Sequence, residues 1–235
     1  MRKHFALTMF LISMPFFLPA ETNLHPALSN LEPIQPQNPF TKTHPFEETK
    51  MIPLGFSAEG AYAYGEKYCT GGGCGANLIL FDLIRDKVIS DVKDREFLQR
   101  PGMEQSEESF KELINKAKVS NFLFSWKITA LDDPGLRALP ATVEGHKVTA
   151  WIDQGKVLVK IGSEIRAVAD LNDERFRGRQ GYGEEKAGEF FIEGFFKSPL
   201  EDRIVVIVSC AHLGYEGAPM IEYFPIGVKI SPKKK

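Results

Sequence analysis

From residue 51 to residue 230 the chain reads as short β-branched and aromatic runs separated by clusters of Gly, Asp, Asn, Ser and Pro. Runs of this kind between turn residues predict strands, here over residues 61–68, 77–84, 122–130, 147–152, 156–161, 164–169, 190–196, 204–209 and 220–230. Two turns are well signalled. Asp153-Gln154-Gly155 places Gly where a three-residue hairpin loop needs a left-handed residue, and Gly162-Ser163 suits a two-residue turn with Gly first. Together they predict a three-stranded meander over 147–169. One stretch has a different period: Phe110, Leu113, Ile114 and Ala117 recur at helical spacing, with Ser106 as a cap and Glu107 and Glu108 at the positive end of the dipole. The expected fold is mainly β (α+β): antiparallel β-sandwich or meander-type sheets with one packed amphipathic helix.

Two stretches echo each other. Ser57-Ala-Glu-Gly-Ala-Tyr-Ala-Tyr64 leads to Cys69, and Ser198-Pro-Leu-Glu-Asp-Arg-Ile-Val205 leads to Cys210, each through an acidic turn into a strand. The first copy, Leu54-Gly55-Phe56-Ser57-Ala58-Glu59-Gly60-Ala61-Tyr62-Ala63-Tyr64 followed by Leu78-Ile79-Leu80-Phe81-Asp82-Leu83, resembles the hairpin of blade-type β-repeats. It is also similar to uncharacterised secreted bacterial proteins with an L-G-[FW]-S-x-[DE]-G-x-[YF]-A-Y segment. The resemblance implies a style of hairpin over about forty residues. It does not imply a closed propeller, which needs at least four blades of about four strands.

The amino terminus changes how the rest is read. Arg2 and Lys3 precede an apolar run from Phe5 to Leu18, and Pro19-Ala20 follows. A basic head, a short apolar run and a small residue describe a secretory signal peptide. The run is shorter than the ~20 residues that span a bilayer, so no transmembrane segment is expected in the mature chain. Residues 21–50 hold Pro26, Pro33, Pro36, Pro39 and Pro45 and read as a proline-rich tether. The expected organisation is thus a signal peptide over 1–20, a tether over 21–50 and a single β-rich domain over 51–235, exported to the periplasm, cell surface or medium.

Export decides the cysteine chemistry. Of the three cysteines, Cys69 and Cys74 flank Thr-Gly-Gly-Gly and are expected to close a small disulfide clasp. Cys210, at the end of an apolar run, is left as a buried thiol; a bridge from Cys210 to one of the pair is the alternative pairing. Cys69, Cys74, Cys210 and His212 also supply the donor types of a Cys3His zinc site, but oxidation competes with that reading. A Cys210 thiolate served by His146 or His212 lacks any surrounding motif. No metal or cofactor is expected.

Positive residues number 29 and negative 31, so no basic field advertises a nucleic-acid partner. The glycine-rich loop lacks the Lys-Ser/Thr of a phosphate cradle, and Gly55-Phe56-Ser57-Ala58-Glu59 lacks the closing Gly of a nucleophile elbow. With no coherent acid–base or nucleophile set, the expected role is a non-catalytic binding module for an extracellular or envelope ligand, protein or glycan. Its expected contact residues are Tyr62, Tyr64 and Tyr68, taken as exposed strand aromatics, and the anion-binding loop residues Arg175, Arg177, Arg179 and Tyr182. The alternatives are a secreted hydrolase using strand-borne carboxylates such as Glu59, Asp82 or Glu193, and a structural envelope protein.

Overall fold

A computed structural model of the protein describes residues 32–39, 50–70, 73–93, 119–131, 135–177, 189–213 and 219–231. Every strand pairing in it is antiparallel. The first sheet is a meander of β1 (Lys50–Phe56), β2 (Ala61–Thr70), β3 (Gly73–Asp82) and β4 (Lys87–Lys93), with the short β5 (Thr129–Ala130) on the outer side of β1. Side-chain caps set its turns. Ser57 Oγ accepts from Ala61 N at 3.1 Å. Asp82 Oδ1 accepts from the backbone of Ile84 and Arg85 at 2.8 and 2.9 Å.

The second sheet is the four-stranded meander β6 (Ala141–Val143), β7 (His146–Asp153), β8 (Lys156–Ile161) and β9 (Glu164–Asp170). It contains the three strands expected over 147–169. Asp153 pairs directly with Lys156, so the first loop has two residues and not the three expected. Gln154 and Gly155 both have positive φ, the requirement of a type I′ turn. Gly162 alone is positive in the next turn, as a Gly-first turn demands. The third sheet is β10 (Glu189–Lys197), β11 (Arg203–Leu213) and β12 (Pro219–Lys229).

The third sheet lies at the centre of the stack. Phe196, Val205, Ile207, Ile221 and Tyr223 pack against Met51, Tyr62, Tyr64, Ile79 and Phe81 of the first sheet. The alternate residues Ile204, Val206, Val208, Ile226 and Val228 pack against Val148, Val157, Val159 and Ile161 of the second sheet. On the far side of the first sheet lies α1 (Val119–Ser125), whose Val119, Phe122 and Leu123 cover Ile52, Leu54, Ala61, Ala63, Leu78 and Leu80. A short α2 (Glu174–Arg177) follows β9 and buries Phe176.

Three expectations are corrected. Residues 122–130, expected as a strand, begin inside α1, because Val119, Phe122 and Leu123 at helical spacing meet a waiting sheet face while Phe124 stays 86% exposed. Part of the expected tether is built into the fold: within 32–39, Ile34 and Asn38 are buried, and Ile34 N donates to Met51 O at 2.8 Å. Strands β1, β4 and β6 are additions to those expected: Pro53 and Gly55 interrupt the pattern of β1, Val88 and Ile89 are adjacent in β4 where alternation would separate them, and β6 is three residues long. The helix expected around Phe110–Ala117 and the signal peptide over 1–20 lie outside the described residues. Among the described residues no helix is long and apolar enough to cross a membrane.

The two echoing stretches occupy matching places. Ser57 and Ser198 each begin the turn of the first hairpin in a three-stranded unit, β1–β2–β3 and β10–β11–β12, and the two units pack face to face. In each, the first strand is bulged at a glycine, Gly55 with φ +152° and Gly194 with φ +149°. A Cβ there would stand 2.1 Å from Thr129 O and 2.5 Å from Arg137 O respectively. Gly55→Ala and Gly194→Ala should therefore each cost at least the ~1–3 kcal/mol of a strained backbone, more where the neighbouring carbonyl cannot retreat. Denaturant titration of the two variants measures this; a loss under about 0.5 kcal/mol would show that the bulges relax.

Candidate functional site

The densest set of buried polar groups with mutual contacts lies in the seam between the edges of β1 and β10. Glu193 is the extra residue of the β10 bulge, between Ile192, which pairs with Val208, and Gly194, which pairs with Ile207. The bulge leaves its side chain only 4% of the residue's exposure. Residues 32–39 cross the seam above it. Gln37 N donates to Glu193 Oε2, and Asn38 adds a backbone hydrogen bond. The Asn38 carboxamide donates to Glu189 O at 3.2 Å and to Ser209 Oγ at 3.3 Å. Ser209 in turn hydrogen-bonds the Glu193 carboxylate.

Burial pushes the Glu193 carboxyl above its ordinary range, and the bonds from Ser209, Gln37 and Asn38 pull only partly against it. Among the described residues its Oε1 has no hydrogen-bond partner. Chemically the seam is a covered acid with a set of donors supplied by an extended peptide segment.

A second cluster sits on the opposite face of the central sheet. Cys210 pairs with Glu222 across β11 and β12, and His212 Nε2 lies 3.7 Å from Glu222 Oε2. The thiol is pushed up to about 12, first by burial and then by Glu222, the reverse of what a nucleophilic thiolate needs. Strand alternation places Cys210 and His212 with Ile204, Val206 and Val208, facing the second sheet. Cys69 and Cys74 belong to the first sheet, on the other side, so the backbone does not gather the four possible zinc donors. Among the described residues no group of three His, Cys, Asp or Glu is placed to hold a metal ion.

The expected contact residues fall into three groups. Tyr62 and Tyr64 are corrected: both are buried. Tyr62 stacks on Phe196 at 6.1 Å and on Tyr64 at 5.6 Å, and its hydroxyl is pushed well above its usual range by burial and then by Tyr64. Strand alternation turns them to the central sheet, so an aromatic run that suggests an exposed face is core. Arg175 is already engaged: its guanidinium meets Asp86 Oδ2 at 2.6 Å and lies over the Phe176 ring at 4.3 Å. It clips the β3–β4 turn to α2. Tyr68 lies on β2 and Arg177 at the end of α2; Arg179 and Tyr182 lie outside the described residues.

The rival carboxylates stand in three different settings. Glu59 is exposed in the β1–β2 turn, Asp82 caps the β3–β4 turn, and Glu193 is covered in the seam.

The outer face of the second sheet is a feature that sequence reasoning passed over. Ala150 and Ile152 pack inward, so Thr149, Trp151, Leu158, Lys160, Ile165 and Ala167 face outward. Cross-strand pairing aligns Trp151 with Leu158 and Ala167, and Thr149 with Lys160 and Ile165. Ile165 is 56% exposed. The signal was present as period-2 alternation with apolar residues at both phases. No protein-family model, curated protein or solved structure matches the chain.

Because the Glu193 pKa is raised in the fold, the group favours the folded state most below the ordinary carboxylate pKa. That contribution is lost as pH rises through the raised value. Glu193→Gln keeps an oxygen to accept from Gln37 N and removes the charge. It should raise the melting temperature at neutral pH and flatten the stability–pH curve above about pH 4.5. Thermal melts across that range check this, and a variant with the wild-type slope would move the pH dependence elsewhere.

Proposed function

We propose that the chain is an exported, non-catalytic binding module whose recognition face is the outer surface of the four-stranded sheet β6–β9. The observation that carries this reading is the row of Trp151, Leu158 and Ala167 beside Thr149, Lys160 and Ile165 on the face turned away from the central sheet. A sheet face with a half-buried indole beside the exposed Ile165 suits a flat partner surface. Aromatic anchors rimmed by polar residues are what interface centres are made of. Lys147 and Lys160, both exposed, favour a partner with acidic groups. The basic-apolar amino terminus supports export. Asp82 is taken up as a turn cap and Glu193 is covered in the seam, which favours binding over carboxylate hydrolysis.

Export also gives Cys69 and Cys74 an oxidising environment. They are register partners on β2 and β3. Leu83 N donates to Gly60 O at 2.9 Å, which makes that pair hydrogen-bonded. Alternation along the unshifted ladder then makes 69–74 a non-hydrogen-bonded pair. Such pairs bring their Cα atoms to about 4.5 Å, within the reach of a disulfide. The clasp would fix the tip of this hairpin.

A photo-crosslinking residue at Ile165 in the exporting cell tests the recognition face. A discrete adduct that is lost with Trp151→Ala is expected for a protein partner, and a heterogeneous ladder with the same dependence for a glycan. No adduct above that from a residue placed at Lys229 would reject this face. Thiol titration of the denatured, unreduced protein should find one free thiol; three would remove the clasp.

A further inference from the structure

Residues 32–39 enter the fold in the manner of a bound ligand. Pro33, Pro36 and Pro39 recur every third residue, the period of a polyproline II helix, and residues 32–38 form neither helix, turn nor ladder strand. Its side chains are used unequally. Pro33, Ile34 and Asn38 are buried, whereas Gln35 and Gln37 are exposed. Ile34 joins the core between the first and central sheets and bonds Met51 through its backbone. Four residues on, the Asn38 carboxamide reaches two acceptors at once, Glu189 O and Ser209 Oγ. Between them the backbone supplies the donors to Glu193.

We propose that the seam between β1 and β10 is a peptide-binding site that the chain fills with its own residues 32–39. The site selects extended, proline-spaced peptides bearing an apolar residue and, four positions later, an asparagine. An aspartate at the second position offers no donor to Glu189 O and sets a carboxylate near Glu193. A proline-spaced peptide is largely ordered before it binds, so little conformational entropy opposes docking. Docking covers the Glu193 acid, and covering favours its protonated form, so binding tightens at lower pH. The other titratable groups on the surrounding elements are Glu32 on the segment, Glu189 and Lys197 on β10, Lys50 on β1, Tyr62, Tyr64, Glu66, Lys67 and Tyr68 on β2, and Tyr223 on the same side of β12. His212 and Glu222 face the other side of the central sheet. The interactions that act on Glu193 besides burial are those with Ser209, Gln37 and Asn38.

The test uses the full chain and a fluorescent peptide of residues 31–40. In the wild-type chain the resident segment competes at an effective concentration on the order of 1 mM, so added peptide should bind weakly. Asn38→Asp in the chain should free the site and tighten peptide binding by about tenfold or more. The same change in the peptide should abolish binding. Affinity for the Asn38→Asp chain should fall as pH rises above the ordinary carboxylate range, and Glu193→Gln should remove that fall. Equal binding to both chains, or none to a folded Asn38→Asp chain, overturns the proposal. Should that variant fail to fold, the wild-type chain cut after folding at a protease site placed within 40–49 serves instead. Exchange of the cut segment for labelled peptide supports the site, and failure to exchange overturns it.

Discussion

The central sheet has no face left for water. An antiparallel sheet ordinarily shows one face to solvent and so alternates apolar with polar residues. Here β11 is pressed between the first and second sheets, and Ile204, Val205, Val206, Ile207 and Val208 are all buried. This explains the unbroken apolar run, which periodicity alone cannot distinguish from a buried helix. Each such side chain contributes about 1.5–3 kcal/mol when fully buried, so this one strand carries a large share of the stability of both flanking interfaces. The other sheets are organised by what they must cover.

The layering also explains the edges. Ile230 N donates to Asp202 O at 3.1 Å, which fixes that pair as hydrogen-bonded and sets the alternation along β11 and β12. Counting along it, Pro219 and Pro225 fall at non-hydrogen-bonded positions, where the backbone nitrogen faces away from β11. The prolines therefore cost the ladder nothing and remove two donors from the outer edge of β12, which discourages an added strand. On the opposite edge, β10 is bulged beside Gly194, bridges to Arg137, and accepts from Asn38 of the segment 32–39. The first unit repeats the device, with Gly55 bulged against β5. The echo read in the sequence at Ser57 and Ser198 thus extends to bulges and edge partners, a likeness carried by backbone geometry more than by residue identity.

What the sequence disclosed follows from the range of the forces involved. Turn chemistry acts within a few residues, so Gly162-Ser163 and the strands around it were legible, and Gln154-Gly155 missed only by one residue in loop length. Long-range packing was not. Nothing local tells that Phe122 and Leu123 will meet Leu54 and Leu80 as a helix, or that Tyr62 and Tyr64 will face another sheet and not solvent. Proline-rich composition misled for residues 32–39 because prolines that bar a strand or helix still permit an extended segment to pack. The seam drew Glu193 from the sequence only as one carboxylate among several. Its partners, Gln37 and Asn38, stand about 155 residues earlier in the chain, where no motif could have joined them.

That seam raises the question of why an acid occupies a place where burial opposes its charge. An apolar residue at position 193 would relieve the charge yet leave the backbone donors of Gln37 and Asn38 covered and unmet. Each such loss costs about 1–3 kcal/mol. A hydroxyl reaches less far and accepts less strongly. Glutamate is long enough to leave the bulge, and its ionised oxygen accepts from two backbone groups and from Ser209 at once. Burying the charge weakens this arrangement and the three donors repair it in part. The repair fails if the segment shifts by one residue, because the donors then face the wrong way. The acid therefore contributes less to the stability of the fold than to the register in which residues 32–39 lie across it.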